Sequence, residues 1–105
     1  MELTKDYFKW YCANDYCHII PKEPGCYAIY LYDLYESEYK LYYIGTARNL
    51  YTRLKKHAVI MVLKALFDYP IAVVVKCKII KNNKKRLNVE KKLIQRLKPR
   101  INYVS

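Results

Sequence analysis

One stretch of this chain places an arginine and a histidine where they could act together on a phosphate. The sequence "KLYYIGTARNLYTRLKKH" at 40–57 passes from an aromatic, strand-like run through one glycine into a basic, helix-like run. Arg53 and His57 are four residues apart, so on a helix they would lie on the same face. Arginine binds phosphate through two parallel hydrogen bonds, and histidine holds or transfers a proton near neutral pH. A solvated basic helix face is the alternative interpretation.

A carboxylate stands out in the last helix-like segment, which we predict over residues 84–97. At about 100° per residue, its apolar side chains form one arc: Leu87, Leu93, Ile94 and Leu97. Glu90 falls near the middle of this arc. Buried charge is costly unless it is paired or bound to a metal ion. Glu90 is therefore either salt-bridged to a basic neighbour or a metal ligand at the edge of the core.

The charge balance narrows the classes of partner. Twenty Lys and Arg against nine Asp and Glu give a net charge of +11, which favours a polyanion as partner, either nucleic acid or an anionic membrane surface. We find no basic amphipathic stretch with a wide apolar face, so no membrane association is expected. Thirteen tyrosines among cations suit stacked bases, although Tyr and Lys richness can also reflect the composition of a genome.

The location follows from what the sequence lacks. The longest apolar run, "IAVVV" at 71–75, is too short to span a membrane, and no secretory leader opens the chain. We expect a cytoplasmic protein, or a nuclear one in a eukaryotic or viral setting. Among the four cysteines, Cys12 and Cys17 with His18 lack a fourth ligand at zinc spacing, so reduced thiols are expected.

The elements that must position these residues follow from periodicity and breakers. They are a helix over 4–13, strands over 26–32 and 40–45, helices from Asn49 to about His57 and over 59–67, a strand over 71–80, and a helix over 84–97. Asn49 and Asn83 are the expected N-caps, and Pro99 ends the last helix. On the helix that begins at Asn49, the apolar stripe consists of Leu50, Leu54 and Ala58.

Three segments stand out together: "PGCYAIY" at 24–30, "YYIGTARNLYTRLKKH" at 42–57 and "VEKKLIQRLKPRIN" at 89–102. In their order and spacing, these motifs resemble the GIY-YIG nuclease superfamily. The resemblance implies an α+β fold in which helices flank a three-stranded antiparallel sheet. We assign residues 21–105 to this domain and residues 1–20 to an N-terminal helical extension.

The resemblance also implies an active site. Its residues would be Tyr27, Tyr43, Arg53, His57, Glu90 and Asn102. Glu90 would bind one Mg²⁺ or Mn²⁺ ion, and Arg53 would bind the scissile phosphate. Tyr27 would be the general base for the attacking water, with His57 hydrogen-bonded nearby. Tyr43 and Asn102 would complete the surroundings of the phosphate and water.

A tyrosine base at neutral pH needs help, because its free pKa is near 10. A metal ion and Arg53 in a basic domain would favour its ionised form. Thr46 stands where the repair branch of the family usually has lysine, which removes one cation, although Arg48 is near. Strand tyrosines are more often packing residues, so the residues alone leave a structural role for Tyr27 and Tyr43 open.

The expected activity is hydrolysis of a DNA phosphodiester by a stand-alone catalytic domain with one active site. A monomer of this kind would nick DNA, and Arg48, Lys55 and Lys56 would contact it. Dimerisation or a partner protein would supply specificity, and the setting would be a mobile element, a phage or repair. The alternative is a domain that binds nucleic acid without cutting it, or an accessory subunit of a larger nuclease complex.

Overall fold

The chain folds around an antiparallel sheet whose strand β2 is covered on both faces. A computed structural model describes residues 9–12 and 20–101. Strands β1 (Lys9–Cys12), β2 (Gly25–Asp33), β3 (Glu38–Ala47) and β4 (Ile71–Ile79) lie in the order β1-β4-β2-β3. Each neighbouring pair is antiparallel. Because β2 lies between β3 and β4 and is buried on both faces, its run "CYAIYLY" is continuously apolar.

Within residues 20–101, three helices cover the two faces of the sheet. They are α1 (Leu50–Lys55), α2 (Ala58–Leu66) and α3 (Asn83–Leu97). Successive side chains of β2 point to opposite faces, so Tyr27 and Ile29 pack with α1 and α2, whereas Cys26 and Ala28 pack with α3. The predicted α+β architecture is confirmed: β2, β3 and β4 form the expected three-stranded antiparallel sheet flanked by helices, and β1 adds a fourth strand to it. Within the described ranges, no helix combines the length and apolarity needed to cross a membrane.

Strand β1 departs from the sequence prediction. A helix was expected over 4–13, and this is wrong for residues 9–12, which form a strand paired with β4 from Lys9↔Cys77 to Cys12↔Val74. Trp10 and Tyr11 favour strands, and the edge of β4 supplies backbone partners that stabilise a strand more than a short helix stabilises itself. The rest of that predicted helix lies outside the described residues. The division of the chain at residue 20 stays a prediction.

The helix boundaries differ from prediction at two places. Asn49 caps α1 as expected, but α1 ends at Lys55, two residues before His57. The cap of α3 is Asn82 rather than Asn83, and its Oδ1 accepts the Lys85 N–H at 2.9 Å. Either asparagine has the chemistry of a cap, so local sequence could not decide between them.

Two side chains expected in the core are exposed. Ala58 begins α2 instead of continuing the stripe of α1, and Leu87 is 48% exposed. The place expected for Leu87 on the buried face of α3 is taken by its neighbour Arg86, which is only 5% exposed. Farther along that face, Leu93 is fully buried as predicted.

Candidate active site

A buried tyrosine lies over a glycine near the start of β2. Tyr27 is 1% exposed, and its cross-strand partner on β3 is Gly45. A Cβ atom at position 45 would overlap the ring and hydroxyl of Tyr27. Gly25 similarly allows Leu50 to approach, since a Cβ there would be 2.8 Å from the Leu50 Cδ1. Neither glycine has a positive φ, so both motif glycines serve close packing rather than an unusual backbone conformation.

His57 is hydrogen-bonded to the Tyr27 hydroxyl and also caps a helix. It is the N-cap of α2, and its Nδ1 accepts the Val59 N–H at 3.1 Å. Its Nε2 lies 2.8 Å from the Tyr27 hydroxyl. Since Nδ1 accepts, the proton of the neutral ring is assigned to Nε2, which therefore donates to the Tyr27 oxygen. Burial, and then the nearby Arg53 charge, lowers the pKa of His57 to about 4, so the ring is neutral at pH 7.

Arg53 and His57 come together in a different way from the one expected. The prediction that both lie on one helix is wrong, because α1 stops at Lys55 and His57 begins the next helix. The bend between the helices nevertheless keeps the pair close, since the Arg53 charge lowers the pKa of His57. Arg53 itself is exposed and is accessible to a phosphate from solvent.

The surroundings of Tyr27 push its ionisation in opposite directions. Burial raises its pKa, and the neighbouring Tyr43 and Glu90 add to this rise, whereas the charge of Arg53 and a hydrogen bond with it lower the pKa. Burial is the largest of these effects, so the net shift is upward. Tyr27 is a neutral phenol in the chain alone. Further positive charge would be required to make it a base at neutral pH.

Tyr43 completes a cluster of three rings. It stacks on Tyr27 with ring centroids 6.1 Å apart and planes inclined by 25°. The His57 ring packs edge-to-face with both tyrosines, with its centroid 4.9 Å from that of Tyr43 and 5.3 Å from that of Tyr27. Tyr43 is half-buried, so part of this ring reaches solvent, whereas the phenol of Tyr27 is buried.

Glu90 approaches from α3 on the other face of the sheet. It is half-buried, and burial raises its pKa. Its charge raises the pKa of both Tyr27 and Cys26, so the carboxylate lies within electrostatic reach of both. No described residue forms a salt bridge with it, so the ion-pair interpretation has no partner in this part of the chain.

The donor set of this site fits a hard divalent ion held by a single carboxylate. In residues 9–12 and 20–101 there is no group of three or more His, Cys, Asp or Glu that could hold a metal ion. Magnesium does not need one, because it keeps several water ligands and is often bound through one or two carboxylates and a substrate phosphate. Glu90, a half-buried carboxylate without a counter-ion among the described residues, fits such a role.

Of the four other predicted site residues, three lie at the periphery of the site and one lies outside the described residues. Arg48, Lys55 and Lys56 are exposed around α1, and the Lys55 Nζ lies 5.6 Å from the ring centroid of Tyr51. Asn102 lies outside the described residues. The described chain ends one residue earlier, where the Ile101 N–H donates to the Tyr42 carbonyl at 2.9 Å.

The sequence interpretation missed two residues that pack behind the site. Arg86 is not among the residues that the sequence analysis singles out, although it lies four residues before Glu90 and seven before Leu93, on the buried arc of α3. That spacing was the available signal. The Cys26 thiol donates to the Arg86 carbonyl at 3.3 Å, a contact for which the sequence offers no signal.

Comparison with known families gives one match, which covers most of the chain. The GIY-YIG catalytic domain matches residues 25–103. The chain belongs to the GIY-YIG family. The resemblance stated from the motifs is thereby confirmed. GIY-YIG proteins form a nuclease superfamily of phosphodiester hydrolases that act on nucleic acid and generally depend on a divalent metal ion. No curated protein and no solved structure matches the chain significantly.

Proposed function

We propose that this GIY-YIG chain is a divalent-metal-dependent DNA endonuclease with one active site, which nicks one strand as a monomer. The observation that carries the proposal is the buried Tyr27–His57 hydrogen bond, with Arg53 beside it and the carboxylate of Glu90 within electrostatic reach. A tyrosine that serves packing alone would need neither the charge of Arg53 nor that of Glu90 nearby.

His57 is a hydrogen-bond donor in this mechanism. Its Nδ1 is occupied by the Val59 N–H, so Nε2 carries the proton that is donated to Tyr27. Tyr27 therefore cannot pass its own proton to His57. The imidazole instead stabilises the phenolate of Tyr27 and fixes the direction of its free lone pair.

The phenolate of Tyr27 would take the proton from the attacking water. Arg53 would bind the scissile phosphate and offset its growing negative charge. A divalent ion held by Glu90 would supply further positive charge beside the phosphate, which also favours the ionised Tyr27. Tyr43 would limit the entry of bulk water, and Asn102 would complete the site.

DNA would reach the site along the exposed cations Arg48, Lys55 and Lys56 around α1. With a net charge of +11, binding should weaken steeply as salt is added. One site cuts one strand, so a double-strand break would require a second copy or a second encounter. Target choice would come from DNA shape, dimerisation or a partner protein.

The test is relaxation of supercoiled plasmid in Mg²⁺ or Mn²⁺ by the wild type and two charge-matched variants. Glu90→Gln removes the carboxylate of the site. Glu36→Gln makes the same change in the exposed turn between β2 and β3. We expect open-circular product from the wild type and from Glu36→Gln, and a loss of about 1,000-fold in rate for Glu90→Gln.

Three results would each contradict part of the proposal. Salt-sensitive DNA binding without nicking in either metal ion would favour a binding-only domain. Equal nicking by Glu90→Gln would remove Glu90 from the chemistry. If linear product appears together with open-circular product, and if its rate of formation rises more steeply with protein concentration, the active form is a dimer rather than a monomer.

A further inference from the structure

Arg86 is a buried cation that binds backbone oxygens instead of a carboxylate. Its Nη1 donates to the carbonyls of Ile80 at 3.1 Å and Lys81 at 3.2 Å, and its Nη2 donates to the Asn83 Oδ1 at 2.8 Å. Among the described residues it forms no salt bridge. The guanidinium thus ties the first turn of α3 to the end of β4.

The backbone of Arg86 is also held from the strand that carries Tyr27. The Cys26 thiol donates to the Arg86 carbonyl at 3.3 Å, and Cys26 directly precedes Tyr27 on β2. Burial, the largest effect, raises the pKa of Cys26 to about 12, and the charges of Arg86 and Glu90 act in opposite directions. The thiol stays protonated at neutral pH and remains a donor. The start of α3 is therefore fixed to both β2 and β4.

Glu90 lies one turn after Arg86 on the same helix. Residues at this spacing with opposite charges usually pair on a helix. Here three N–H groups of the guanidinium donate to the Ile80 and Lys81 carbonyls and to Asn83, and no salt bridge joins Arg86 to Glu90 among the described residues. Burial is the cause that raises the pKa of Glu90. The Glu90 carboxylate thus keeps its oxygens for another cation.

We propose that Arg86 is a positioning residue for Glu90. It anchors α3 so that the carboxylate faces Tyr27, and by bonding to carbonyls it is withheld from pairing with Glu90. The role of Glu90 as metal ligand rests on the function proposed above. Lysine could not replace Arg86 fully, because one ammonium group lacks the planar fork that spans three acceptors.

The experiment measures Mn²⁺ binding directly, by the loss of the free-ion signal in electron paramagnetic resonance, without DNA. Wild type, Arg86→Met, Arg86→Lys and Glu90→Gln are compared, with nicking against metal concentration measured in parallel. Asn82→Ala is the stability control, because it removes the cap of α3 and thereby destabilises the helix, while it leaves the guanidinium bonds in place. Arg96→Met is the charge control on the exposed face of α3.

We expect Arg86→Met to raise the half-saturating Mn²⁺ concentration about 10- to 100-fold, as loss of a group that orients a ligand does. Arg86→Lys should fall between Arg86→Met and the wild type. Asn82→Ala and Arg96→Met should bind Mn²⁺ as the wild type does. If Arg86→Met does not fold, Arg86→Lys is compared with Asn82→Ala, and a larger shift in the lysine variant carries the same conclusion.

Unchanged or tighter Mn²⁺ binding by the Arg86 variants would overturn the positioning role, because tighter binding would mean that Arg86 competes with the ion. An equal shift in Asn82→Ala would overturn it too, since instability alone would then explain the effect. A wild type that neither binds Mn²⁺ nor nicks DNA would instead refute the proposed function.

Discussion

Each face of the sheet buries an ionisable side chain, and one of these side chains is neutral whereas the other keeps its charge. His57, 2% exposed on the α1 and α2 face, is kept neutral, and its pKa is lowered to about 4. Arg86, 5% exposed on the α3 face, keeps its charge and binds carbonyl oxygens. An imidazole can lose its proton to escape the cost of burial, whereas a guanidinium cannot and must be solvated by the protein.

Both side chains connect backbone groups to a residue of the site, but over different distances. His57 accepts from the backbone through Nδ1 and reaches Tyr27 directly through Nε2. Arg86 touches neither Tyr27 nor a substrate position and acts on Glu90 through the helix that both share. Changes around His57 should therefore alter the chemistry of Tyr27, whereas changes at Arg86 should alter the position of Glu90.

Removing the Tyr27 hydroxyl is the strongest test of the His57 side. Tyr27→Phe keeps the ring that packs over Gly45 but removes the acceptor of the His57 Nε2–H. Loss of a general base should slow nicking about 100- to 10,000-fold while Mn²⁺ affinity stays near that of the wild type. The measurement is single-turnover nicking beside Mn²⁺ binding. An equally large loss of Mn²⁺ affinity would mean that the chemistry of Tyr27 and the metal binding of Glu90 cannot be altered independently.

Acid should weaken the fold through His57. The unfolded state protonates histidine with a pKa of 6.5, and the folded state does so at about 4. Between these values the unfolded state binds more protons, so the free energy of unfolding falls as pH falls. Below pH 4 the full loss is about 3 kcal/mol, at about 1.4 kcal/mol per pKa unit.

The measurement is urea unfolding between pH 7 and pH 4 for the wild type and His57→Asn. Glu90, whose pKa is raised by burial, acts with the opposite sign, but it is present in both proteins. The difference between the two curves therefore isolates His57. Parallel curves would show that His57 is not buried in a neutral state.

A pair of substitutions at His57 separates its two hydrogen bonds and should give the smallest effects. In His57→Asn the side-chain oxygen can replace Nδ1 as helix cap, whereas in His57→Gln the longer amide can replace Nε2 as donor to Tyr27. We expect His57→Asn to keep more stability, by about 1 kcal/mol. We expect His57→Gln to nick faster than His57→Asn by about 10-fold. If His57→Gln is the more stable variant and His57→Asn nicks faster, the assignment of the His57 proton to Nε2 is wrong.

Much of the architecture could be predicted because it depends on local patterns. The hairpin of β2 and β3, the strand β4 and the Asn49 cap follow from runs of apolar residues and from side chains with one preferred place in a helix. Strand β1 could not be predicted, because its partner is the edge of β4, more than sixty residues away in the chain. Its aromatic residues fit a helix or a strand until that edge is present.

The sequence by itself determined the family, through glycines, tyrosines, an arginine and a glutamate in a fixed order. It also determined the charge that favours a polyanion. The order of the motifs can be recognised along the chain without knowledge of tertiary contacts.

Only the tertiary structure decided which atoms hold the protons and charges of the candidate site. The contact between Tyr27 and His57 joins residues 30 apart, and that between Cys26 and Arg86 joins residues 60 apart. The tautomer of His57 depends on the Val59 N–H at the start of α2. The raised pKa of Glu90 depends on its burial on α3. Burial and hydrogen bonding set these properties, and both exist only once the two faces of the sheet are packed.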